Sequence, residues 1–269
     1  MEGSPTLRHG WIFSAFLLLC CTASAWSKPG SVSLSFRKFG PFKTYVVTAN
    51  LNDPDVKVTP ILSRRGIGSA ENYSSMIHRT TPTAAITGTF FSPNNSLPTG
   101  DIVLGGRYIY FGGIGHGIAV TPDNRAVILR RPVNRHVDWS GYETVLCAGP
   151  RLIWNGTVYV NPRAEGFRDR RMMYSKTARL GVGITRYNRL MFVAVKTPCH
   201  LSHLAKIMRK LGCVNAVNVD QGSSTAFYYR GKTIARPGRS LTNMLAIYDR
   251  KVSFLSAMSQ IAPWYVASR

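Results

Sequence analysis

Short runs in which apolar and polar residues alternate dominate this chain. Val32, Leu34 and Phe36 alternate, Gly40-Pro41 marks a turn, and Tyr45-Val46-Val47 opens a second run, so residues 31–62 predict strands. Asn52-Asp53-Pro54-Asp55 is a further turn, followed by Val56, Val58 and Leu62. A short helix is expected over 69–79, opened by Ser69, with Tyr73, Met76 and Ile77 on one side. Residues 84–91 predict a strand running into a glycine turn with paired phenylalanines, and 94–100 a loop. From 102 to 160, signals such as Gly105-Gly106, Gly112-Gly113, Pro122-Asp123-Asn124 and Asn155-Gly156 punctuate short strands. Residues 161–176 are polar and arginine-rich without periodicity, which predicts a loop. A hairpin follows, 179–184 with 190–195 around Tyr187-Asn188.

The clearest helix covers 200–211. Leu201, Leu204, Met208 and Leu211 repeat close to every 3.5 residues, Lys206, Arg209 and Lys210 suit the negative end of the dipole, and Gly212 can cap it. Strands at 226–229 and 244–248 complete the pattern. With no repeat or linker dividing the chain, these elements predict one α+β domain over 26–269, a large mixed or antiparallel sheet with a few packed helices.

Between the clearest helix and the last strands lies the stretch with most chemistry. Val214, Ala216, Val217 and Val219 read as a buried strand, and Asp220-Gln221-Gly222-Ser223-Ser224-Thr225 follows it. Asp220 is the only acid between Asp169 and Asp249. A lone carboxylate facing a glycine and three hydroxyls suits catalysis or polar-ligand binding, and equally an Asx turn that satisfies its own amides.

Composition adds context. Arg8 and His9 precede an apolar run over 11–21 and then Ala23-Ser24-Ala25, the pattern of a secretory leader cut after Ala25. The run is shorter than the roughly 20 residues of a spanning helix, and no later segment is apolar enough to span. A secreted or periplasmic protein is expected. The 34 Lys and Arg against 12 Asp and Glu give a net charge of +22, which calls for an anionic substrate or surroundings. No nucleic-acid motif is present, which leaves acidic or phosphorylated glycans and anionic lipid as candidate partners. Asn72, Asn94 and Asn155 match the glycan-acceptor pattern. Of Cys147, Cys199 and Cys213, the last two sit at opposite ends of the expected helix, roughly 20 Å apart, so any disulfide must involve Cys147. No Cys/His spacing suggests zinc.

Five segments in order resemble the phosphodiester glycosidase family. Thr87-Gly88-Thr89-Phe90-Phe91 is similar to the family's Asn-Gly-Gly-Phe-Phe, and Ala148-Gly149-Pro150 with Asn155-Gly156 to its Ala-Gly-Pro element and following turn. Arg179-Leu180-Gly181-Val182-Gly183-Ile184 resembles its Arg-Thr-Ala-x-Gly-x, and Val219-Asp220-Gln221-Gly222-Ser223-Ser224-Thr225 its Leu-Asp-Gly-Gly-Gly-Ser-Thr. Arg239-Ser240-Leu241-Thr242-Asn243 resembles its Arg-Pro-Val-Ser-Asn. Thr87, Gln221 and Ser223 differ from the family's residues. The resemblance implies a hydrolase that splits a sugar-1-phosphodiester between the anomeric carbon and the phosphate oxygen. It implies Asp220 as nucleophile or base and Arg179 as phosphate clamp. Gly222, Ser224, Thr225, Arg239, Asn243, Thr87, Gly88 and Phe90 would wall the substrate site. His116 is a candidate acid or base, and Glu165 and Asp169 are reserve carboxylates. No cofactor is called for, and a divalent cation beside Asp220 remains compatible with the sequence. Two other readings fit: a cationic module that holds phosphorylated or acidic glycans without cleaving them, and a phosphodiesterase that cuts the P–O bond.

Overall fold

The computed structural model describes Met1 and residues 30–267, so the leader expected over 1–25 lies, but for Met1, outside the described residues. The strands begin with β1 (Val32–Phe39), β2 (Phe42–Asn50), β3 (Lys57–Leu62), β4 (Ala84–Thr87), β5 (Ile102–Leu104), β6 (Arg107–Tyr110), β7 (His116–Val120) and β8 (Ala126–Arg130). They continue with β9 (Thr144–Ala148), β10 (Arg151–Trp154), β11 (Thr157–Val158), β12 (Thr177–Thr185), β13 (Arg189–Cys199), β14 (Cys213–Asn218), β15 (Phe227–Tyr229), β16 (Lys232–Ala235) and β17 (Asn243–Tyr248). The helices are α1 (Tyr73–Thr80), α2 (Arg170–Tyr174), α3 (Leu201–Lys210), α4 (Lys251–Ile261) and α5 (Pro263–Ala267).

The expected α+β architecture is present, with the sheet area divided among three antiparallel sheets. A seven-stranded sheet runs β1-β2-β13-β12-β14-β10-β11, and two five-stranded sheets run β16-β15-β4-β17-β3 and β6-β5-β9-β7-β8. Period-two alternation explains how they stack, because successive side chains leave a strand on opposite faces. Leu180, Val182 and Ile184 of β12, with Phe192 of β13 and Val217 of β14, face a core shared with Ile86, Leu245, Ile118 and Leu146 of the other two sheets. The opposite face of the large sheet, Val46, Val193, Val195 and Ala216, packs on Leu201, Leu204 and Met208 of α3. The opposite face of the β4-β17-β3 sheet, Ile61, Ala85, Met244 and Ala246, packs on Met76 of α1 and on Ala257 and Ile261 of α4.

Some expectations shift. The first helix begins at Tyr73, capped by the Asn72 side chain, which accepts from the Ser74 N–H at 2.9 Å. Ser69 instead bonds back to Gly66 O at 2.6 Å, and Glu71 is held in a bridge with Leu241, so 69–72 cannot coil. The expected loop 161–176 contains a 3-10 turn, Pro162–Glu165, and α2. Phe167 and Met173 anchor that segment in the α3-side core. Helices α4 and α5 follow Tyr248, where the sequence pattern predicts nothing. The disulfide considered for Cys147 does not form: Cys147, Cys199 and Cys213 are free and buried, Cys147 in β9 and the other two in the layer beneath α3. No described helix is long and apolar enough to cross a membrane.

Candidate active site

Strand β14 lies between β12 and β10 and carries the chain out of the large sheet at Val219, whose N–H donates to Leu180 O at 3.3 Å. The next residue changes partner: the Asp220 N–H donates to Gly88 O at 3.0 Å, just past the end of β4 in a different sheet. Asp220 therefore sits where two sheets meet. A 3-10 turn, Gly222–Ser224, then reverses the chain, and Gly222 takes φ +68°, the left-handed conformation that glycine adopts at no cost. Gln221 is extended at φ −155°, which any residue tolerates, and Ser223 has no positive φ. The two positions that differ from the family's glycines thus carry no backbone strain, because Gly222 alone makes the left-handed step.

The Asp220 carboxylate is buried, with the residue 6% exposed, and its Oδ1 accepts from the Gln221 N–H at 2.7 Å. Burial pushes its pKa up to about 6. A hydrogen bond from the Ser224 side chain, the Gln221 N–H and the charge of Arg239 pull the other way and keep the rise moderate. The side-chain amide of Gln221 and Oδ1 of Asn218 are buried polar groups with no partner among the described residues. Asn218 escaped the sequence reading. The available signal was its place two residues before Asp220 on a strand, which puts both side chains on one face. Its Nδ2 donates to Gly149 O at 3.2 Å and to Val219 O at 2.8 Å.

Three of the sequence candidates brace this loop. The Thr87 hydroxyl donates to Ser224 O at 2.6 Å and accepts from the Ala226 N–H at 2.8 Å, tying the 224–226 backbone to β4. Asn243 Oδ1 accepts from the Thr89 N–H at 2.8 Å, and its Nδ2 donates to Thr242 Oγ1 at 2.8 Å and Thr89 O at 3.4 Å. Gly88 lies beneath Asn243, where a Cβ would stand 1.9 Å from Oδ1. Thr87→Val is expected to cost about 1–3 kcal/mol, since it leaves a buried N–H unpaired, and to lower activity by loosening Ser224. Thr87→Ser should restore both. Denaturant midpoints and turnover read on the same preparations check this, and an unchanged midpoint for Thr87→Val would refute the bracing role.

The remaining candidates divide. Arg239 is exposed, lies 4.1 Å from the centre of the Phe91 ring and acts on the Asp220 charge. Gly222 is exposed and Thr225 half-buried on the same turn. Phe90 packs edge-on to Phe167, 5.9 Å between centres. Arg179, fully buried, gives its Nε to Cys199 O at 3.0 Å and its Nη2 to Ser175 O at 2.6 Å, contacts that hold residue 175 and the start of β12 to the end of β13. His116 and Glu165, far apart in sequence, come together: Nδ1 and Oε2 are 3.1 Å apart, both side chains buried, although the angle makes no hydrogen bond. Glu165 Oε2 also accepts from the Arg151 N–H at 2.9 Å and lies beside Gly149, the residue whose carbonyl Asn218 holds. Asp169 is exposed at the start of α2 and accepts from the Arg171 N–H. Among the described residues no three His, Cys, Asp or Glu side chains cluster as a metal site would require.

Fold and site define an α+β protein of three stacked sheets with a buried carboxylate, Asp220, at a strand end, its pKa raised by burial. The chain belongs to the phosphodiester glycosidase family, whose model matches residues 80–248. No curated protein matches it. Solved structures share the fold. A hypothetical protein from Synechocystis has a TM-score of 0.60 at 17% identity, over 80% of this chain and 61% of that one. The zebrafish N-acetylglucosamine-1-phosphodiester alpha-N-acetylglucosaminidase catalytic domain, auto-inhibited by its pro-peptide, has 0.67 at 17% identity over 81% and 82%. A Burkholderia pseudomallei protein described as exported has 0.57 at 14% identity over 81% and 76%. The chain thus spans less than two thirds of the Synechocystis protein.

Proposed function

We propose that this protein hydrolyses a sugar-1-phosphodiester at the anomeric C–O bond, releasing the sugar and a phosphomonoester, with Asp220 as the base. The observation that carries the reading is a buried carboxylate whose pKa is near 6 beside an exposed arginine. A base poised near neutrality is ionised at working pH yet still binds a proton well. Asp220 takes a proton from water as the water oxygen bonds to the anomeric carbon. The C–O bond to phosphate breaks, and its electron pair leaves on the phosphate oxygen. Ordinary glycosidases need an acid to protonate a poor leaving alcohol. A phosphomonoester, with a second pKa near roughly 6, leaves with little help, which suits a chain with 12 acids.

Arg239, rather than the buried Arg179, is assigned to the phosphate, because it is exposed and its charge acts on Asp220. The unpaired Gln221 amide and Asn218 Oδ1 are assigned to sugar hydroxyls, since buried polar groups otherwise find partners. The His116–Glu165 pair is the second acid–base group. An extracytoplasmic setting completes the reading. Its support is the leader pattern in the sequence and the description of the Burkholderia pseudomallei neighbour as exported.

A panel of sugar-1-phosphodiesters tests this, with hydrolysis run in ¹⁸O-water. The expected result is turnover with label in the sugar. Label in the phosphate would replace the reading with P–O cleavage, and binding without turnover of any panel member would make the protein a glycan-holding module.

A further inference from the structure

A cleft of about 630 Å³ opens beside α1, lined by Arg64, Arg65, Glu71, His78 and the hydroxyl-bearing Ser74 and Ser75. Its one carboxylate is already engaged: Glu71 pairs with the buried Arg79 at 2.8 Å and accepts from the Arg64 N–H at 2.8 Å. Arg79 is locked in turn by Leu62 O and Gln260 O. The net charge of the cleft is therefore that of Arg64 and Arg65, adjacent, exposed and without an acidic partner among the described residues. Because Arg64, Arg65, Ser74 and Ser75 all line the cleft, an anion held there meets two cations and two hydroxyl donors.

The cleft is not isolated from Asp220. The segment 236–243 is bonded to residues of both. On the cleft side, Arg236 Nη1 donates to Ser74 Oγ at 3.0 Å, Leu241 bridges Glu71, and the Ser63 N–H donates to Thr242 O at 3.0 Å. On the other side, the Gly238 N–H donates to Ser223 O at 2.8 Å, Arg239 acts on the Asp220 charge, and Asn243 braces Thr89. Arg236 and Arg239, both exposed, thus continue the positive charge from the cleft toward Asp220.

We propose that this cleft is a second anion-binding subsite, which takes a phosphate, sulfate or carboxylate carried by the substrate beyond the bond that is cut. The claim rests on the reading of Asp220 as the reaction centre, and it narrows the substrate class to glycoconjugates with at least two anionic groups.

The test compares parent protein with Arg64→Ala/Arg65→Ala and with Arg209→Ala/Lys210→Ala, which removes equal charge at the end of α3. Two substrates are used, a sugar-1-phosphodiester with a neutral aglycone and the same compound bearing an added phosphate. Parent protein should prefer the second, and the Arg64/Arg65 variant should lose that preference by about tenfold, through KM rather than kcat. The α3 variant should keep it. An unchanged ratio, or equal loss in both variants, overturns the subsite. Titration calorimetry with inorganic pyrophosphate needs no turnover and so separates the two claims. About tenfold weaker binding in the Arg64/Arg65 variant alone supports the subsite even if no sugar-1-phosphodiester is cleaved. Equal binding in all three proteins rejects it.

Discussion

An Asp220→Asn variant is expected to be the most damaging to turnover and yet more stable than the parent near pH 7.5. Loss of a general base removes about 10²–10⁴-fold of rate, and Asn cannot take a proton. The stability effect follows from the buried carboxyl, whose pKa is about 6 in the fold against 3.8 for an ordinary aspartate. Between those values the folded chain keeps a proton that the unfolded chain gives up. The stabilisation from the neutral acid is complete below about pH 4 and is lost as pH rises through about 6. Above that, a buried ionised carboxylate makes the parent less stable by up to about 3 kcal/mol. The Asn side chain is neutral throughout and its oxygen still accepts from the Gln221 N–H. Denaturant midpoints of the two proteins should coincide near pH 4 and separate by pH 7.5, with the variant higher. A variant no more stable than the parent at either pH would mean that Arg239 already compensates the ionised form. The same titration predicts activity that falls as pH drops through about 6.

Gly88→Ala is expected to be the most destabilising substitution at the site. The new Cβ would lie 1.9 Å from Asn243 Oδ1, 3.0 Å from its Cγ and 3.1 Å from Leu146 Cδ2. Asn243 has no room to withdraw, since its amide pairs with Thr89 on one side and Thr242 on the other. Either the methyl is overpacked, at about 1–3 kcal/mol, or the Thr89 N–H is left buried and unpaired, at about 1–3 kcal/mol. Where both occur the loss is about 2–6 kcal/mol, a large share of the roughly 5–15 kcal/mol that holds a domain together. Turnover should fall as well, because the Asp220 N–H is anchored on Gly88 O. Adding Asn243→Ala should return part of the loss, and a double-mutant cycle by urea unfolding measures that coupling. A Gly88→Ala protein within about 1 kcal/mol of the parent would show that the strand end gives way more easily than its contacts imply.

Much of the framework is legible in the chain because its causes are local. The β12–β13 hairpin follows from alternation on both sides of Asn188, whose φ of +55° suits a turn asparagine. Helix α3 follows from its apolar stripe, and Gly212 at φ +90° ends it as the pattern predicts. The turn after Asp220 follows from Gly222 within a polar run. The first helix is misplaced by a few residues for a non-local reason, the bridge from Glu71 to Leu241, about 170 positions along.

By itself, then, the sequence determined the periodicities, the turns, the isolation of Asp220 among few acids and the positive charge, since each depends on neighbours or on composition alone. Only the tertiary structure decided which groups meet. It divided one expected sheet into three, committed Arg179 to the carbonyls of Cys199 and Ser175, and set His116 beside Glu165. It also placed Asn243 over Gly88 and tied the segment 236–243 both to the Arg64–Arg65 cleft and to the Asp220 loop. The physical reason is common to all of these. A hydrogen bond or ion pair between residues tens to more than a hundred positions apart leaves no periodic trace, because burial and geometry, rather than residue order, select the partner.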